Sequence, residues 1–298
     1  MSELENKVSK DYMELGKNRR KTNNAKQKSV LRRKKGLDII VCVKHVPETA
    51  EAEIKIGATG KAIEKTGLVF DINEWDDYAL EEAVRFKEEL GGTVTAITVG
   101  LEDADGTLRK CLARGADKAI RVTDAKFEGS DSYAIARILH SVVKGLHFDL
   151  VLTGALAGDD GYTMVGPILA EMLGVSHATM VKKIELGNGV AKANRELEGG
   201  LEEIIEVKLP AVLTVQTGIN EPRYVSILGI RKAMKKEIET LSLADTNLSE
   251  NDVGEAGSWI KIEQMFVPPV EKQAEFIKGN PEEIATKIAE IIKSRGLI

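Results

Sequence analysis

The chain has 298 residues, enough for one large or two modest domains with a real core, and its formal net charge of −5 argues against bulk nucleic-acid binding. Cys42 and Cys111 lack metal-ligand spacing and fit a reducing, cytoplasmic setting, and no apolar run of about eighteen residues is present to span a membrane. The four histidines are scattered, and none stands beside a Ser or Cys nucleophile motif.

Residues 1–36 carry twelve Lys/Arg against four Asp/Glu, a local charge of +8 that leaves −13 for the remainder. Few large apolar residues occur there, so a basic, disordered extension is expected. It has too many acids for a mitochondrial presequence and no apolar core for a secretory signal.

From Leu37 the pattern changes. "LDIIVCVKHV" is a β-branched apolar run ending in charge, the signature of a buried parallel strand. "DDYALEEAVRFKEEL" (76–90) places Ala79, Leu80, Ala83, Val84 and Phe86 at helical spacing, with acids in the first turn and Gly91-Gly92 as the stop. "TVTAITVG", "KAIRV" and "FDLVLTG" read as strands. "DGTLRKCLARGA", "SDSYAIARILHSVVKGL" and "TMVGPILAEMLG" are the helices between and after them. This alternation predicts an α/β fold: a doubly wound parallel sheet covered on both faces.

After about Val175, "MVKKIELGNGVAKANRELEGGLEEIIEVKL" predicts an antiparallel meander with Gly-Asn-Gly and Gly-Gly turns, and "PAVLTVQT" a further core strand. Residues 237–270 lack enough periodic apolar content for their own core. An extended C-terminal arm is expected over 237–298, closing with a helix that Pro281 starts. The domain expectation is therefore 1–36, then 37–236 including a loop at 219–236, then 237–298.

Ligands of open α/β sheets sit at the carboxyl ends of strands, and "TGALAGDDGYTMVGP" (153–167) follows such an end. Gly154, Ala155, Ala157, Gly158 and Gly161 allow close backbone approach, and a helix opens after Thr163 with free N–H groups suited to phosphate. An ordinary glycine-rich crossover turn is the plain alternative. Neither G-x-G-x-x-G nor G-x-x-x-x-G-K-[ST] occurs, and "GATGKA" at 57–62 has the wrong spacing. Asp159 and Asp160 are adjacent loop residues without a third partner, which argues for holding a nucleotide over breaking one.

"INEPRYVSILGIRKAMKKE" (219–237) sets Tyr224, Ile227 and Leu228 beside Arg231, Lys232, Lys235 and Lys236. A solvated basic helix face is the bland reading. Nucleic acid is disfavoured because aromatic residues make up only 4% of the chain, leaving few stacking platforms. An aliphatic tip beside steering charge suits transient protein docking.

The stretches "VKHVPET", "INEWDDYALEEAVRFKE", "LRKCLARGADKAIRV", "LTGALAGDDGYTMVGPILAEMLG", "RELEGGLEEIIEVKLPAVLTV" and "NEPRYVSILGIRKAMKK" together resemble the β subunit of electron transfer flavoprotein (the ETF β/FixA family), from about Leu37 to the C-terminus. The resemblance implies a heterodimer with an α subunit that carries the redox FAD. The β chain would be an electron-carrier subunit without a catalytic residue or metal of its own, bearing AMP or a second, bifurcating FAD with access to NADH. AMP is the favoured expectation, since nothing in the sequence requires a second isoalloxazine pocket.

By the same resemblance the nucleotide pocket would use Cys42, Asn73, Val99, Gly100, Gly154, Ala157, Asp159, Asp160, Gly161, Tyr162, Thr163, Val165 and Gly166. Asp159, Tyr162 and Thr163 would be closest to phosphate or ribose. Tyr224, Ile227, Leu228, Arg231 and Lys232 would dock acyl-CoA dehydrogenase-type flavoproteins of fatty-acid β-oxidation, en route to a quinone-linked acceptor, with Ile227 at an anchor position usually taken by leucine. The 237–298 arm and its helix would pack on α. The loop departs from the family pattern: many relatives read "DGDTGQVGP" where this chain reads "DDGYTMVGP". Two rivals stand beside the AMP carrier, a bifurcating NADH-oxidising complex and a stand-alone universal-stress-like nucleotide-binding protein.

Overall fold

β1 (Leu37–Cys42) sits inside the main sheet, with Ile39 and Val41 facing one layer and Ile40 and Cys42 the other. The computed structural model describes residues 36–49, 52–269, 274 and 276–298. The expected basic extension therefore lies, but for Gly36, outside the described residues.

Chain order continues with a short antiparallel pair, β2 (His45–Pro47) and β3 (Phe70–Ile72), then α1 (Glu74–Leu90), β4 (Gly92–Val99), α2 (Asp105–Arg114), β5 (Lys118–Val122), α3 (Ser132–Val143), β6 (Leu150–Gly154) and α4 (Val165–Leu173). The meander follows as β7 (Ser176–Gly187), β8 (Val190–Glu196) and β9 (Glu202–Lys208). After it come β10 (Ala211–Val215), α5 (Ile227–Ala233), β11 (Glu239–Leu241), the single turn α6 (Gly254–Gly257) and α7 (Pro281–Ser294).

Nine strands form one sheet in the order β11-β5-β4-β1-β6-β10-β7-β8-β9. The seven from β11 to β7 are parallel, while β8 and β9 add as an antiparallel meander, so the α/β expectation holds. Leu80 and Val84 of α1 and Leu108 and Cys111 of α2 pack on one face with Ile39, Val94 and Leu150. Ile138 and Leu139 of α3 and Leu169 of α4 cover the other with Ile40, Ile97 and Val212. Each fully buried Leu or Ile of this kind stabilises the fold by about 2 kcal/mol relative to exposure.

Gly92 starts β4 at φ 112, and a Cβ there would meet the Leu37 carbonyl oxygen at 2.0 Å. Glycine thus lets α1 stop abruptly and the next strand close against the start of β1.

The described chain divides into two units. The larger comprises the described residues up to Glu53 together with Lys65–Lys261. The smaller joins Ile54–Glu64 to the described part of Ile262–Ile298. In the smaller unit, Ile56 and Ile63 form an antiparallel bridge, and the Met265 N–H donates to the Gly60 carbonyl at 2.7 Å. Its helix α7 begins at Pro281 with a reciprocal capping box between Asn280 and Glu283. Within the stretch expected as a C-terminal arm, β11 pairs with β5, and residues up to Lys261 belong to the larger unit. Among the described residues no helix is long and apolar enough to cross a membrane.

Candidate functional site

The chain builds β1, β4 and β5 in one direction and then returns across β1 to add β6, so neighbouring connections diverge between β1 and β6. A crevice opens where strand order reverses in this way. The cleft found there has a cavity volume of about 200 Å³ and is open to solvent. Its walls are Cys42–Lys44 after β1, Val99 at the end of β4, the loop after β6, and Ser130–Ser132 leading into α3.

Asn73, just before α1, and Asp76, in its first turn, shape the floor. Asn73, 1% exposed, donates its side-chain amide to the Leu156 carbonyl (2.9 Å) and accepts from the Gly158 N–H (3.0 Å). Asp76, 6% exposed, accepts from the Lys44 N–H and the Gly154 N–H, both at 2.7 Å. These bonds join the ends of β1 and β6 where the sheet can no longer do so. Burial pushes the Asp76 carboxyl up to about 7, against the lowering effect of its backbone donors. Gly154 has no room for a side chain: a Cβ would lie 2.5 Å from Asp76 Oδ1 and 2.7 Å from Trp75 Cβ.

The rim is charged. Lys44 Nζ contacts Asp159 Oδ1 and Asp160 Oδ2, each at 2.7 Å, tying the loop back to β1. Burial pulls the Lys44 pKa down, but the two carboxylates outweigh it and hold the ammonium above its ordinary value. Asp131 caps α3 through the Ala134 N–H at 2.9 Å. Burial raises its carboxyl, and several N–H donors more than reverse this, so it stays ionised below the usual range. Among the described residues Lys44 is the one cationic side chain lining the cleft, against Asp76, Asp131 and Asp160.

Of the residues expected at the pocket, the cleft brings together Cys42, Asn73, Val99, Gly154, Ala157, Asp160, Tyr162, Thr163, Val165 and Gly166. Gly100, Asp159 and Gly161 lie off its lining: Gly100 donates to the Val122 carbonyl, Asp159 faces Lys44, and Gly161 makes a turn at φ 64. Cys42 contributes no reactive thiol, because burial and then Asp76 push it up to about 12. Sequence reading assigned no role here to Lys44, Asp76 or Asp131. A lysine just past a strand end and acids at two helix starts were the available signals, and each also serves as ordinary capping chemistry.

The residues expected from sequence to dock a partner lie elsewhere in the larger unit. Ser226 caps α5 through the Gly229 N–H (3.0 Å), and Gly229 sits tightly on α2, where a Cβ would meet the Ala113 carbonyl at 2.5 Å. Arg223 grips Glu81 (2.9 Å) and Glu88 (2.6 Å) on α1. Arg109 of α2 donates to the Ala233 and Lys236 carbonyls, closing the other end. On this base stand Tyr224 (97% exposed), Ile227 (75%) and Leu228, with Arg231 and Lys232 also in solvent.

A family model described as the electron transfer flavoprotein domain matches residues 61–246. The electron transfer flavoprotein subunit beta of Methylophilus methylotrophus is 42% identical over 260 residues, covering 86% of this chain and 98% of that protein. The caffeyl-CoA reductase-Etf complex subunit CarD of Acetobacterium woodii is 35% identical over 263 residues (87% and 99%). Protein FixA of Azotobacter vinelandii is 33% identical over 250 residues (81% and 88%). The chain belongs to the electron transfer flavoprotein family, in its β-subunit/FixA branch.

Proposed function

We propose that this chain is the β subunit of a heterodimeric electron transfer flavoprotein: it holds an adenine nucleotide in the β1/β6 cleft and docks redox flavoproteins through the Ile227 tip. The α partner carries the electron-shuttling FAD, and the β chain breaks no bond unaided. A universal-stress-like protein no longer fits a chain of this family.

The cleft carries the reading. It lies at the strand ends where open α/β sheets hold their ligands, and Gly154 lets the loop after β6 lie close against Trp75 and Asp76 of α1. Asn73 and Asp76 hold that backbone still, while Tyr162 and Thr163 line the mouth. For a shuttle, a fixed docking surface suffices, and a tip of modest area permits fast partner exchange.

AMP is the ligand expected from sequence, but the charge of the lining favours a second reading. A terminal phosphate dianion would meet Asp131 and Asp160, with Lys44 already paired to Asp159 and Asp160. The first turn of α4 offers apolar Met164 and Val165 side chains, and Pro167 lacks an N–H. A pyrophosphate-linked dinucleotide, such as a second FAD, carries the same total charge as AMP but spreads it over two phosphates, so no single group is a dianion beside such a lining. Mass spectrometry of nucleotides released from the co-purified heterodimer decides. One FAD plus one AMP supports the simple carrier, two FAD support bifurcation, and no adenine nucleotide in the β chain overturns the proposal.

A further inference from the structure

The outer wall of the cleft, Ser130–Ser132, is fastened from behind by a distant part of the chain. Asp131 Oδ2 accepts the Trp259 N–H (2.8 Å) and the Ile260 N–H (2.9 Å), while Oδ1 caps α3. The Asp131 N–H donates to Ser258 Oγ (2.8 Å), and the Gly254 N–H donates to Ser130 Oγ (2.8 Å). Trp259, 78% exposed, stacks on Tyr133 with ring centroids 4.2 Å apart. Arg137, one turn further along α3, pairs with Asp252. Residues 250–260 therefore form a strap, and two of the residues it is fastened to, Ser130 and Asp131, also line the cleft. At Lys261 the larger unit ends.

We propose that Asp131 is a positioning residue that couples ligand occupancy of the cleft to closure of the 250–260 strap. This rests on the nucleotide reading above. A ligand that orders Ser130–Ser132 orders the acceptor of two strap N–H groups. By linkage, a closed strap then raises affinity for the ligand by the same factor. One carboxylate with an oxygen on each side is the physical link, and the strap holds through backbone amides, so their exchange with solvent reports its closure.

The test is peptide-resolved hydrogen exchange on the purified heterodimer, stripped of nucleotide and then reloaded with AMP or FAD, with binding measured separately by calorimetry. Loading should slow exchange at Trp259 and Ile260 about fivefold or more. In Asp131→Asn one acceptor oxygen remains for the α3 cap, but the amide group presents hydrogens to the strap donors. The ligand-dependent slowing should vanish there, with affinity reduced by a similar factor. Ser258→Ala spares the α3 cap, serves if that variant fails to assemble, and should shrink the difference. Binding of either probe without altered exchange, or slowing that persists undiminished in a variant, overturns the coupling alone. Failure of both probes to bind overturns the nucleotide reading and the coupling with it.

Discussion

In the cleft, polar side chains turn onto the backbone: Asn73 and Asp76 use their oxygens and amide to hold three N–H groups and one carbonyl in place, and little of either is left for solvent. Around α5 the polar side chains lie underneath instead, with Arg223 clamped to Glu81 and Glu88, and apolar groups stand on top. One region spends its polarity on making a cavity rigid from within. The other spends it on presenting a small oily surface at a fixed height. Preorganisation thus appears twice, which on the proposed function serves a ligand that stays in one region and partners that leave in the other.

That contrast can be broken most sharply at Asn73. Asn73→Ala removes a donor and an acceptor from buried backbone partners and should destabilise the larger unit by about 3 kcal/mol. Thermal unfolding and nucleotide content of the heterodimer should fall together. An intact nucleotide complement would show that the floor is not set by this residue.

Next comes the base of the docking tip. Arg223→Ala strands Glu81, whose side chain is only 5% exposed, and should cost about 2 kcal/mol in denaturant titration. Ile227→Ala should leave stability within about 0.5 kcal/mol, because the side chain already faces water. It should nevertheless slow electron transfer with a partner dehydrogenase about tenfold at unchanged FAD content. Equal kinetics for Ile227→Ala and the parent would remove Ile227 from the anchor role.

The smallest effect is one of pH. Because the folded pKa of Asp76 is raised above its unfolded value, its contribution to stability is fully present below about pH 4. It declines as pH rises through about 7. Between pH 6 and 8 this amounts to about 1 kcal/mol of lost stability. Asp76→Asn should flatten that part of the profile, and an unchanged slope would place the titration elsewhere.

The order of strands and helices from Leu37 to Leu173 was legible because burial on two faces writes continuous apolar runs for strands and a 3.6-residue stripe for helices. β11 escaped notice: three residues, "ETL", carry no period, and their place depends on a neighbour, β5, more than a hundred positions earlier. The same distance hid the rim of the site. Nothing near Lys44 announces Asp159 and Asp160, 115 and 116 positions away, nor does "GSDSY" announce Trp259. Glycines of the 153–167 loop were visible as permission for close approach. Of the side chains that use that permission, Asn73 came into view only through the family resemblance, and Asp76 had looked like a routine helix-start residue.

The sheet order also bears on solubility. A nine-stranded sheet has two outer strands whose free amides and carbonyls could recruit a foreign strand. At one side β11 is only three residues long, too brief to template an addition. At the other, β9 carries exposed Glu202, Glu203 and Glu206, so a second copy arriving there in parallel would bring carboxylates together. Each border of the sheet is thus protected against self-association, one by brevity and the other by repulsion.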